Sequence, residues 1–169
     1  MTAQLPDRII LQGQSWDLYS NPLEQYWSRL HKTRPPLYPL PYCMRGYVAS
    51  WQIKDHQLFL TDVDGNYEKK SIFFGTRSAR FGINTLWPRF NGQPMKAAWY
   101  SGKLRVPQGK MTLYDFKGYN SRFEKEVIIT IENGDLLKRV TLDYTQKSVL
   151  VNETIHVSSQ KGGHGKAVR

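Results

Sequence analysis

The sequence predicts an α+β domain that is mainly antiparallel β. Its hairpins would form a curved sheet or a partly open barrel or sandwich, with one N-terminal helix (about 21–33) packed on it. Three observations predict this. Residues 45–65, RGYVASWQIKDHQLFLTDVDG, alternate apolar and polar positions on both sides of a polar turn, the period of a half-buried hairpin. Asn133-Gly134 separates the β-branched run 127–131 from a second apolar run at 136–142, and Asn-Gly in that setting is the strongest short-range hairpin signal. Only 21–33, NPLEQYWSRLHKT, combines helical apolar spacing with start and stop signals.

The elements follow in order. Residues 8–19, RIILQGQSWDLY, read as two short strands about Gln12-Gly13-Gln14. Ser20 or Asn21 can cap the helix, Pro22 suits its first turn, and Glu24 suits the positive end of its dipole. Leu23, Tyr26, Trp27 and Leu30 form its apolar stripe. Arg29, His31 and Lys32 favour its C-terminal end, and Arg34-Pro35-Pro36 stops it, leaving an extended connector to Pro41. Tyr47, Ala49, Trp51 and Ile53 then face a core, with Leu58, Leu60 and Val63 returning after the turn at 54–57. Asp64-Gly65 reads as a second turn and 67–74 as a third strand. Residues 75–95, with three glycines and two prolines, read as long loops. Segments 97–100 and 103–106 read as a hairpin about Ser101-Gly102. The expected domain is 1–157, and SSQKGGHGKAVR at 158–169 reads as a disordered basic tail.

A chain of 169 residues that is 40% hydrophobic and 13% aromatic can bury a core as one domain. No apolar run is long enough to span a bilayer. MTAQLPDRIILQG meets an acid and a base before any long apolar stretch, unlike a signal peptide. Cys43 is the only cysteine, so no internal disulfide can form; a reducing cytoplasm is the expected location. The net charge of +10 is unevenly placed: residues 69–122 hold eleven bases and one acid, Asp115. Gathered on one face, that excess would attract an acidic protein, a nucleic acid or an anionic surface.

Chemistry-bearing constellations are sparse. Asp62, Asp64 and Asn66 alternate as in a calcium loop, but the glycine falls fourth instead of sixth and no helical pattern flanks it; a turn is the expected role. His31, His56, His156 and His164 form no close pair, so no metal site is expected. Cys43 is flanked in sequence by His31 and His56, but a Cys–His pair needs spatial contact and an orienting third group; Cys43 reads as a small buried hydrophobe. Neither a nucleophile elbow, a phosphate loop nor a dinucleotide fingerprint is present. No catalytic residue and no cofactor are assigned. Aromatics interleave with the central bases, as on single-strand-binding platforms and protein hot spots, though an ordinary β core uses them equally. The expected contact residues are Arg77, Arg80 and Arg89 in the loop-rich part, with Lys96, Lys103, Arg105, Trp87 and Tyr119.

Three phrases, NPLEQYW at 21–27, RGYVASWQI at 45–53 and WYSGKLRVPQG at 99–109, resemble those of a family of small bacterial β-rich proteins, over about residues 8–143. The resemblance carries no activity and no site residue. It extends weakly to immunity and accessory proteins of bacterial toxin systems; the basic centre departs from the acidic character common among nuclease inhibitors, so an inhibitor of this charge is expected to meet an acidic protein partner. Single-stranded nucleic acid is the alternative partner, and a hydrolase with carboxylates from distant parts of the chain is the third reading.

Overall fold

The computed structural model describes residues 3–146 and 150–155; the expected tail at 158–169 lies outside them. Ten strands form one sheet: β1 (Asp7–Leu11), β2 (Gln14–Leu18), β3 (Tyr47–Lys54), β4 (Gln57–Ser71), β5 (Gly75–Phe81), β6 (Met95–Lys96), β7 (Gly102–Leu113), β8 (Arg122–Glu132), β9 (Asp135–Asp143) and β10 (Leu150–Ile155). The order is β2-β1-β3-β4-β9-β8-β7, with β5 and β6 on β4 and β10 on β9. β1 runs parallel to β3, Ile9 beside Trp51.

The two ends of this order approach each other. Tyr19 N–H donates to the Arg105 carbonyl at 2.8 Å. Ser20 Oγ accepts from Arg105 N–H at 3.1 Å and donates to the Lys103 carbonyl at 3.3 Å. The sheet is therefore a nearly closed barrel. Three two-residue loops, Gln12-Gly13, Asp55-His56 and Asn133-Gly134, have positive φ at both positions, the geometry whose twist matches paired strands.

The core holds Ile9, Leu18, Trp51, Leu58, Leu60, Leu104, Ile129 and Ile131, all buried. Leu58, Leu60 and Val63 all point inward because the β3–β4 register shifts between Ser50 and Trp51. That bulge inserts Thr61 and reverses the alternation beyond it.

Several expectations are corrected. The helix α1 covers only Glu24–Arg29, because its expected caps are used elsewhere: Ser20 bridges to β7, and the Asn21 amide oxygen accepts from Tyr119 OH at 2.9 Å. His31, at φ 50°, lies past its end. Asp64-Gly65 is no turn; β4 runs through it, with Gly65 opposite Tyr47. Glycine is required there by close approach, since a Cβ would lie 2.5 Å from the Gly46 carbonyl oxygen. The expected third strand ends at Ser71, and the expected loops contain β5, a short helix α2 (Ile83–Leu86) and a 3-10 turn at Pro88–Phe90. Residues 97–101 are not a strand; Ala97 N–H donates to the Leu58 carbonyl, and the Tyr100 carbonyl accepts from Gly134 N–H.

Candidate binding surface

The three motif phrases converge in the interior. Trp99 lies edge-on to Tyr26 at 5.1 Å and its Nε1–H donates to the Pro22 carbonyl at 3.2 Å. Trp27 meets Tyr47 at 5.8 Å. Trp51 donates its indole N–H to the fully buried Asp7, which also accepts from Arg45 at 2.7 Å and from Ala49 N–H at 3.0 Å. These residues position the scaffold.

Several expected contact residues are tied to the same scaffold. Arg105 bonds the Glu126 carboxylate and the carbonyls of Tyr119 and Ser121. Tyr119 stacks on Tyr19 at 5.0 Å and its hydroxyl accepts from Arg45 at 3.0 Å; burial pushes that hydroxyl up to about 12. Trp87 is half-buried, stacked on Trp99 at 5.4 Å. Lys96 donates to Asp135 at 2.7 Å, and Gln57 donates to the same oxygen at 3.0 Å. The hydrogen bond from Lys96 is the largest cause holding the Asp135 carboxyl below its ordinary value. Lys103 and Arg89 are exposed, Lys103 on β7 and Arg89 on the 3-10 turn.

Arg77 and Arg80 share an element, the hairpin of β4 and β5. Its inner half is flanked by the Pro-rich connector, through Tyr38 N–H to the Asn66 carbonyl and Glu68 N–H to the Pro36 carbonyl. Beyond Glu68 the described residues pair β4 with β5 alone, at Lys69↔Arg77, Lys70↔Thr76 and Ser71↔Gly75. The tip is Ile72, Phe73 and Phe74, exposed by 97%, 87% and 66%. Arg77 lies over the Phe74 ring at 4.4 Å, and Arg80 pairs with Asp64 at 3.3 Å. The nine residues 69–77, KKSIFFGTR, hold three cations and no acid. The exposed triplet at 72–74 departs from the expectation, because 67–74 reads as a strand. The signal was legible: three consecutive large apolar residues cannot all face one side of a strand.

Two concave regions offer less. A cleft of about 610 Å³ is lined by Arg105, Arg122, Phe123, Glu126 and Tyr144 among others, and its one carboxylate is bound to Arg105. A groove of about 390 Å³ runs between the connector and β3–β4, with Asp64 as its carboxylate. No group of three or more His, Cys, Asp or Glu residues able to hold a metal occurs among the described residues. Asp62 and Asp64 lie in an extended strand, where their side chains do not wrap an ion, and Asp62 accepts from Val63 N–H at 2.9 Å. Cys43 is buried, donating to the Tyr47 carbonyl at 3.1 Å. No described helix is long and apolar enough to cross a membrane. Comparison with protein-family models, curated proteins and solved structures finds no match to this chain.

Proposed function

We propose that this protein is a non-catalytic binding protein that engages an anionic partner surface, with the β4–β5 hairpin as its contact element. The observation that carries this is the tip, Ile72-Phe73-Phe74, held in solvent on a shaft bearing Lys69, Lys70 and Arg77. Among the described residues these three cations form no ion pair, and exposed large apolar side chains grouped beside such cations are the composition of a contact surface. Arg89, exposed on the 3-10 turn beyond α2, adds a further cation, while Arg80 is paired with Asp64. An acidic protein, the partner of the immunity or accessory reading, meets this requirement through charge complementarity. Single-stranded nucleic acid is a second reading, supported by Phe73 and Phe74 next to three cations. The hydrolase reading needs two converging carboxylates, whereas each concavity above presents one.

The test is retention of anionic material from a native lysate on the immobilised full chain at low salt. The triple variant Lys69→Glu, Lys70→Glu, Arg77→Glu should retain at least roughly tenfold less, since like charges facing one another repel, and Lys54→Glu on the opposite end of β3 should match the wild type. Equal retention by the triple variant would overturn the assignment of the hairpin. A mixed oligonucleotide pool in the same assay tests the second reading, which requires retention that falls steeply with salt.

A further inference from the structure

We infer that the anionic surface met by the hairpin is a phospholipid bilayer, touched at its interface and not spanned. This rests on the reading of β4–β5 as the contact element. The order of residues along the hairpin favours it. Ile72, Phe73 and Phe74 lead, then come Ser71 and Gly75, then Lys70 and Thr76, then Lys69 and Arg77. At about 3.3 Å per residue the cations lie roughly 7–10 Å behind the tip. An interfacial element buries its apolar part about 5–10 Å into the headgroup boundary, which would bring these cations level with lipid phosphates.

The charges point the same way. Lys69 and Arg77 lie directly opposite each other, and like charges at paired positions destabilise a hairpin in water. Phosphates at that depth would relieve the repulsion. The tip itself separates lipid from the other anionic partners. The most exposed residue of the tip is the aliphatic Ile72 at 97%, and Arg77 covers the Phe74 ring at 4.4 Å; that leaves Phe73 as a single open ring, whereas single-strand binders stack successive bases on several. A protein partner would need a matching pocket for three adjacent side chains, whereas a bilayer accepts such a tip without one.

The full chain is sedimented with vesicles of phosphatidylglycerol and phosphatidylcholine, and with vesicles of phosphatidylcholine alone. Binding should require phosphatidylglycerol and weaken as salt rises. Ile72→Ser, Phe73→Ser and Phe74→Ser together should lower partitioning by roughly a hundredfold or more with the melting temperature unchanged. Lys69→Glu, Lys70→Glu and Arg77→Glu together should also lower it by roughly a hundredfold. No vesicle binding, equal binding to the neutral vesicles, or binding unaffected by the tip substitutions overturns the lipid assignment. If vesicles fail while lysate capture still depends on Lys69, Lys70 and Arg77, the lipid assignment falls and the contact-element reading stands. If capture is indifferent to those residues, both fall.

Discussion

Trp51 shows at the residue scale how packing and polarity are joined. Its ring fills the barrel, fully buried, and its N–H supplies one of three donors to the buried Asp7 carboxylate. Trp51→Ala should cost about 3–5 kcal/mol by cavity formation, measured by denaturant unfolding. Trp51→Phe keeps most of the volume but leaves an Asp7 oxygen short of a donor, and should cost about 1–3 kcal/mol. An unchanged stability for Trp51→Ala would contradict its place in the core. Gly65→Ala should destabilise by about 1–3 kcal/mol through overpacking, because the new Cβ meets the Gly46 carbonyl; the exposed Ser78→Ala on β5 should stay within about 0.5 kcal/mol. Trp51 was legible as core from its place in the alternation. Gly65 was not legible, since Asp-Gly carries the chemistry of a turn and only the tertiary neighbour Gly46 explains the glycine.

Among the elements, those with purely local signals were read well and those settled by distant partners were not. The loops Gln12-Gly13, 54–57 and Asn133-Gly134 declare themselves by residues that accept positive φ. The helix was read too long because Ser20 and Asn21 look like caps, yet their side chains bind Arg105 and Tyr119. A cap and a barrel closure use the same donors and acceptors, and sequence does not say which wins. Asp135 is a second distant tie, joining β9 to Lys96 on β6 and Gln57 on β4. Its carboxyl is held below the ordinary 3.8 when folded, chiefly by the hydrogen bond from Lys96. The folded chain therefore binds this proton less readily than the unfolded one. The stabilisation is complete above the ordinary value and is lost as pH falls through the lowered one. Asp135→Asn should accordingly show a shallower loss of stability below about pH 4 than the wild type in acid unfolding curves. A parallel curve would remove Asp135 from the account.

On the scale of the whole molecule, the barrel and the hairpin divide the work. The three motif phrases, with their tryptophans and tyrosines, are spent on the interior, so their side chains build the scaffold and leave the solvent-facing chemistry to other residues. Of the expected contact residues, Arg105, Tyr119 and Trp87 serve the scaffold as well, and Lys96 is paired with Asp135. The charge excess of 69–122 was visible in the sequence, but its division between structural cations and solvent-facing ones depends on partners such as Glu126, far along the chain. Thermal stability should follow this division: serine at all three tip positions should leave the melting temperature within about 2 °C, as surface substitutions do. A large fall would mean that the tip packs against the barrel. The most direct measurement uses an environment-sensitive label at Phe73→Cys in a Cys43→Ala background, with brominated lipids as quenchers in phosphatidylglycerol vesicles. The label at 73 should be quenched in the outer acyl region, while one placed at Ser28→Cys on α1 stays in water. A label at 73 that remains in water while the protein is vesicle-bound would contradict the account, since another face would then hold the surface.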